Sequence, residues 1–206
     1  MKAAFFSVVA LAMSAFAAPV ADADNTIRDL NRVEKRAISG PEDLISNLQG
    51  ALSSIKTQGG SISDILDQVQ SGDMSGNDAA DQSLPELKSI LDTVTDLVKE
   101  LTGAAGLDVT DSDVSTIQTL LIALVAEVTT IVKGLVTILG IRPQLNSVLH
   151  SVFQILAKVL VLVIGIVGGL VPGLVAGLSP LFVGLGNGLL APLLTLVAGL
   201  LAGLAA

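Results

Sequence analysis

Residues 83–101 read SLPELKSILDTVTDLVKEL. Ser83 followed three positions later by Glu86 has the spacing of a capping box, and Pro85 sits where an opening helical turn tolerates a residue without an N–H. Leu87, Ile90, Leu91, Val94, Leu97, Val98 and Leu101 then recur at intervals of three and four, which places them on one face of an α-helix. The opposite face carries Lys88, Asp92, Asp96, Lys99 and Glu100. An amphipathic helix follows, and the same signature elsewhere makes the fold class all-α.

Downstream, a break at Gly103 to Gly106 precedes Asp111, Ser112 and Asp113, acids suited to the positive end of a new helix dipole. That helix is expected to run to about Leu139. Its apolar residues, from Val114 and Ile117 through Leu135, cover more than one stripe and so need partners on two sides. Gly140 and Arg142-Pro143 stop it, and a further helix begins near Gln144 with Leu145, Val148, Leu149, Val152, Phe153 and Leu156 on one face before its polar side disappears. Upstream, Ser39 is placed to cap, Pro41, Glu42 and Asp43 fit a first turn, and Leu44, Ile45, Leu48, Leu52 and Ile55 follow at helical spacing. Gly59-Gly60 is expected to end that helix. A second short one carries Ile62, Ile65, Leu66 and Val69, and the Gly/Ser/Asp/Asn-rich residues 71–82 read as a loop. The expected architecture is thus several short amphipathic helices followed by a very apolar helical region interrupted by glycine and proline.

Charge divides the chain. Residues 37–113 carry a net −11, residues 114–206 only +2, and residues 159–206 hold no charged side chain at all. That tail is built from Leu, Val, Ile and Ala with ten glycines and Pro172, Pro180 and Pro192. Gly165, Gly169, Gly173 and Gly177 fall every four residues, the smooth stripe by which apolar helices approach closely, and are the candidate self-association residues. Pro172 should kink the ladder. Residues 159–178, and 181–206 after a Ser179-Pro180 turn, have the composition of a helical hairpin able to enter a bilayer.

The beginning of the chain reads as processing information. Residues 1–17 have Lys2, an apolar run and Ala15-Phe16-Ala17, the three parts of a secretory signal peptide cut after Ala17. Residues 18–36 alternate acids with arginines and end in Lys35-Arg36, so they read as a pro-segment removed at a dibasic site, leaving a mature chain from Ala37.

Catalytic material is scarce. Among 206 residues there are no cysteines, which excludes disulfides and thiolate chemistry, and the single His150 lies on the polar side of its helix without a catalytic or metal-ligating set. Asp108, Asp111 and Asp113 alternate like calcium ligands but lack the central glycine and closing glutamate of a calcium loop. Residues 37–206 carry a net −9, which disfavours nucleic acid as a partner. No enzyme activity, cofactor or metal is expected.

This organisation of signal, dibasic Lys35-Arg36, hydrophilic first half, hydrophobic second half and absent cysteines resembles the small secreted, cysteine-free fungal proteins of the hyphal wall and matrix. The resemblance implies hyphal aggregation and attachment to hydrophobic surfaces. The expected function is a secreted, structural, surface-active protein of the cell wall or extracellular matrix that adsorbs to apolar surfaces, wall polymers or copies of itself. A membrane-inserting or pore-forming protein and a carrier of small apolar molecules are the alternatives.

Overall fold

A computed structural model of the chain describes residues 38–102, 104, 106–140, 142–167 and 170–183. Among them there are five helices and no strand: α1 (Pro41–Ser71), α2 (Gly76–Thr102), α3 (Asp111–Leu139), α4 (Pro143–Val167) and α5 (Val171–Val183). The fold is all-α, with helices longer than the sequence pattern suggested.

The first difference is at Gly59-Gly60, which does not end a helix. Leu44, Leu48, Ala51, Ile55, Gly59, Ile62 and Leu66 are all buried along one 31-residue helix, because the three-and-four register runs unbroken through the glycine pair. Gly59 is a contact point: a methyl added there would stand 2.8 Å from Ile131 Cδ1 of α3. Gly60 faces open space, with nothing within 4 Å of an added methyl. Gly60→Ala should therefore raise stability by about 0.5–1 kcal/mol, the helix-interior difference between the two residues, read as a higher thermal midpoint. The true terminator is Gly72, whose φ of +83° is open to glycine and whose N–H closes on Val69 O at 3.2 Å. At the other end Gly40, not Ser39, is the N-cap residue, and Ser39 instead donates from its N–H and hydroxyl to Asp43 Oδ2 at 3.1 and 2.6 Å.

The second difference is at residues 76–82, which are helical and not loop. Ser75 starts α2: its hydroxyl accepts from the Asp78 N–H at 3.2 Å and donates to the Asp78 carboxylate at 2.6 Å. Ala79 and Ala80 then enter the core, setting a register continued by Ser83, Leu87, Ile90, Val94, Leu97 and Leu101. Ser83 is consequently fully buried within the helix and caps nothing, and Pro85 lies inside it. The proline is tolerated because it and Asp81, whose carbonyl loses a helical partner, are both exposed to water.

α3 agrees with its expected limits and opens with a full capping box. Thr110 Oγ1 accepts from the Asp113 N–H at 3.3 Å, while the Thr110 hydroxyl and N–H donate to Asp113 Oδ2 at 2.7 and 3.0 Å. These bonds, the hydroxyl's first and the backbone's second, hold the Asp113 carboxyl below the usual carboxylate range. A carboxylate depressed on folding stabilises the fold above its unfolded value and loses that contribution as pH falls through the folded value. The α3 cap should thus survive at neutral and mildly acidic pH and fail only below about pH 4. In Asp113→Asn the acid-side fall in helicity, followed by circular dichroism, should lose this component.

The first four helices form an up-down-up-down bundle. α1 packs chiefly on α3 and α2, and α2 on α1 and α4, whereas the consecutive helices α3 and α4 meet only lightly. α1 and α3 run in the same direction, since Gly59 meets Ile131 and Leu66 lies against Gly134 farther along both. The turns α1–α2 and α3–α4 share one end, where Arg142 reaches Asn77. The α2–α3 connection lies at the other, where the Leu107 N–H bonds to Ile166 O at 3.3 Å. α5 lies along the N-terminal half of α3, on a different side from α1, so α3 does have its two partners.

Candidate functional site

Two chemically unlike helix pairs face one another across the core. Residues 38–102, holding α1 and α2, carry eleven acids and three lysines. Residues 106–183, holding α3 to α5, carry only Asp108, Asp111, Asp113, Glu127, Lys133, Arg142 and Lys158. The contact between the pairs is apolar: Leu44, Ile55, Ile62, Leu87, Ile90 and Val94 from the acidic pair are no more than 1 % exposed, as are Ile117, Leu121, Leu124, Leu135, Val152 and Phe153 from the apolar pair. α3 and α4 are about 43 and 37 Å long at 1.5 Å per residue, with mean hydropathies of 2.0 and 2.2 and about half of each most apolar window buried. By length and composition they could cross a bilayer, a test that core helices of water-soluble proteins also pass.

At the turn end Arg142 binds two helix termini together. Its Nε donates to Leu139 O at 3.2 Å, neutralising the negative end of α3, and its Nη1 donates to Asn77 Oδ1 in the first turn of α2. Asn77, Ala80, Asp81, Arg142 and Gln144 line a polar cleft of about 310 Å³ there. The cleft has one cation, Arg142, and one carboxylate, Asp81, and the bonds Arg142 makes there tie the end of α3 to the start of α2. His150 is exposed on α4, and Asp113 is committed to its cap. Among the described residues no three His, Cys, Asp or Glu side chains are grouped to hold a metal.

The glycine ladder is divided. Gly165 is exposed near the end of α4 with nothing within 4 Å of an added methyl, whereas Gly173 and Gly177 belong to α5. They seat that helix on α3, where an added methyl would collide with the Gln118 amide at Gly173 and with Ile122 at Gly177. Because α4 ends at Val167 and α5 begins at Val171, the expected stripe is not continuous, and residues 159–178 do not make a single spanning helix. Pro172 accounts for part of this, since it cannot donate to the i−4 carbonyl. Gly169, the processing residues Ala17, Lys35 and Arg36, and residues 184–206 with the second arm of the expected hairpin lie outside the described residues.

The Arg142–Asn77 tie and the close approach at Gly59 were not anticipated from sequence. The first had no signal, being a contact between residues 65 apart. The Thr110–Asp113 box was visible as T-x-x-D, although only its acids drew notice. No family model matches the chain, and no curated protein or solved structure is significantly similar to it.

Proposed function

We propose that this chain is a secreted, non-enzymatic, surface-active protein of a cell wall or extracellular matrix, adsorbing to apolar surfaces and to copies of itself through its hydrophobic C-terminal half. The observation that carries the reading is the distribution of charge: residues 159–206 contain none, and the acids concentrate in the first two helices. A chain so divided gains by placing one part in water and the other against an apolar phase. The resemblance to fungal hyphal wall and matrix proteins points to aggregation and attachment as the use of that activity.

The test is to purify the protein from culture supernatant and wall fractions, sequence its N-terminus, and measure adsorption at air/water and oil/water interfaces. An Ala37 start with reversible adsorption is expected. A protein that leaves surface tension unchanged at concentrations where ordinary globular proteins lower it would overturn the proposal.

The lengths and hydropathies of α3 and α4 favour a second reading, in which the secreted protein inserts these helices into a bilayer. Dye release from lipid vesicles, with retention of the protein after a carbonate wash, would distinguish it from adsorption.

A further inference from the structure

We infer that the adsorbing surface is the bundle's own interior, exposed when the α1–α2 pair swings away from the α3–α4 pair on an apolar liquid surface. This rests on the surface-active reading above and adds where the surface is and how it is uncovered. Among the described residues the large hydrophobic side chains are mostly in the core: Leu44, Ile55, Leu121 and Phe153 are at most 1 % exposed. The closed bundle presents to water a face of α1 and α2 that is dense in carboxylates. A hydrocarbon surface therefore gains most from a form in which the two pairs lie side by side.

The connectivity permits one such opening. α1 and α2 are joined by a short turn, as are α3 and α4, and both turns lie at the same end. The polypeptide itself links the two pairs only through residues 103–110, at the opposite end. Rotation about that connection separates the pairs without breaking either turn, whereas parting α3 from α4 would be blocked by residues 140–142. The helix faces that come apart, α1 from α3 and α2 from α4, are largely apolar, so hydrocarbon can take the place of each partner. Each helix of the acidic pair is amphipathic, so it can lie in the interface plane with its carboxylates in water. α5 packs on α3 and travels with it. The surface draws the equilibrium across once its preference for the open form exceeds the free energy that keeps the bundle closed.

The Arg142–Asn77 contact joins the pairs at the end that must separate, and the absence of cysteine from the chain makes it a convenient place for a lock. In the full chain, Asn77→Cys and Arg142→Cys would be bridged by a short cleavable bis-maleimide. Binding to hexadecane-in-water droplets would be measured before bridging, after bridging and after cleavage, with each single-cysteine protein carrying the same reagent as a control. Bridging should leave helicity unchanged, reduce the bound fraction by about tenfold or more, and be reversed by cleavage, because the binding-competent form is removed from the equilibrium. A disulfide between Leu66→Cys and Gly134→Cys, which face one another across α1 and α3, should do the same if the first pair disturbs the fold. If the bridged protein stays helical and binds droplets as well as the unbridged one, the opening is overturned while the surface-active reading stands. If the unbridged protein does not bind, both fall.

Discussion

Truncating Phe153 to alanine should cost the bundle about 3–5 kcal/mol, the usual penalty for emptying a buried aromatic site. Phe153 is 1 % exposed on α4 and is the largest fully buried side chain among the described residues. It belongs to a buried cluster made mostly of leucines, isoleucines and valines, which leaves little freedom to collapse into the space. A domain's whole stability is roughly 5–15 kcal/mol, so the loss should move the urea midpoint far to the left with little change in slope. A cost below about 1 kcal/mol would mean that α4 is not packed in the core as described.

Gly59→Leu should be the next most damaging change, and it tests the helix that the sequence was expected to break. An added Cβ stands 2.8 Å from Ile131 Cδ1 and 3.3 Å from Glu127 Oε1, so leucine fits only if those side chains, or the helices that carry them, shift. Overpacking of this kind costs about 1–3 kcal/mol, against which leucine's better helix propensity returns only about 1 kcal/mol. One residue later the sign reverses, since Gly60 faces solvent. A shared outcome at the two positions would show that helix propensity alone governs this region, contrary to the close approach of α3. Denaturant midpoints of Gly59→Leu and Gly60→Ala measured side by side decide it.

Much of the fold was legible because helical register is a local property. The limits of α3, the stop at Gly140 and Arg142-Pro143, and the start of α4 follow from caps, breakers and three-and-four spacing, all available within a few residues. The errors share one cause. Gly59-Gly60, Ser83-Leu84-Pro85-Glu86 and the polar residues 76–82 all carry local signals for ending or starting a helix, and in each case burial against another helix outweighs the signal. Ile131 lies beside Gly59, and Ala79 and Ala80 draw α2 about two turns further back than its capping box suggested. Such contacts join residues tens of positions apart, and no window along the chain contains both partners. The charge asymmetry needed no structure to be seen. Its consequence, an acidic pair covering an apolar one, depends on which helices pair, and that is a tertiary fact.

The pairing of α1 with α3 and of α2 with α4 also bears on the order of synthesis. A chain made from its N-terminus completes the acidic hairpin before either apolar helix exists, so a hydrated template is waiting when α3 and then α4 emerge. Each oily helix finds its cover already made. A circular permutant that begins at α3 would have to hold two long hydrophobic helices in water before their covers were translated, and it should refold with more aggregation than the natural order.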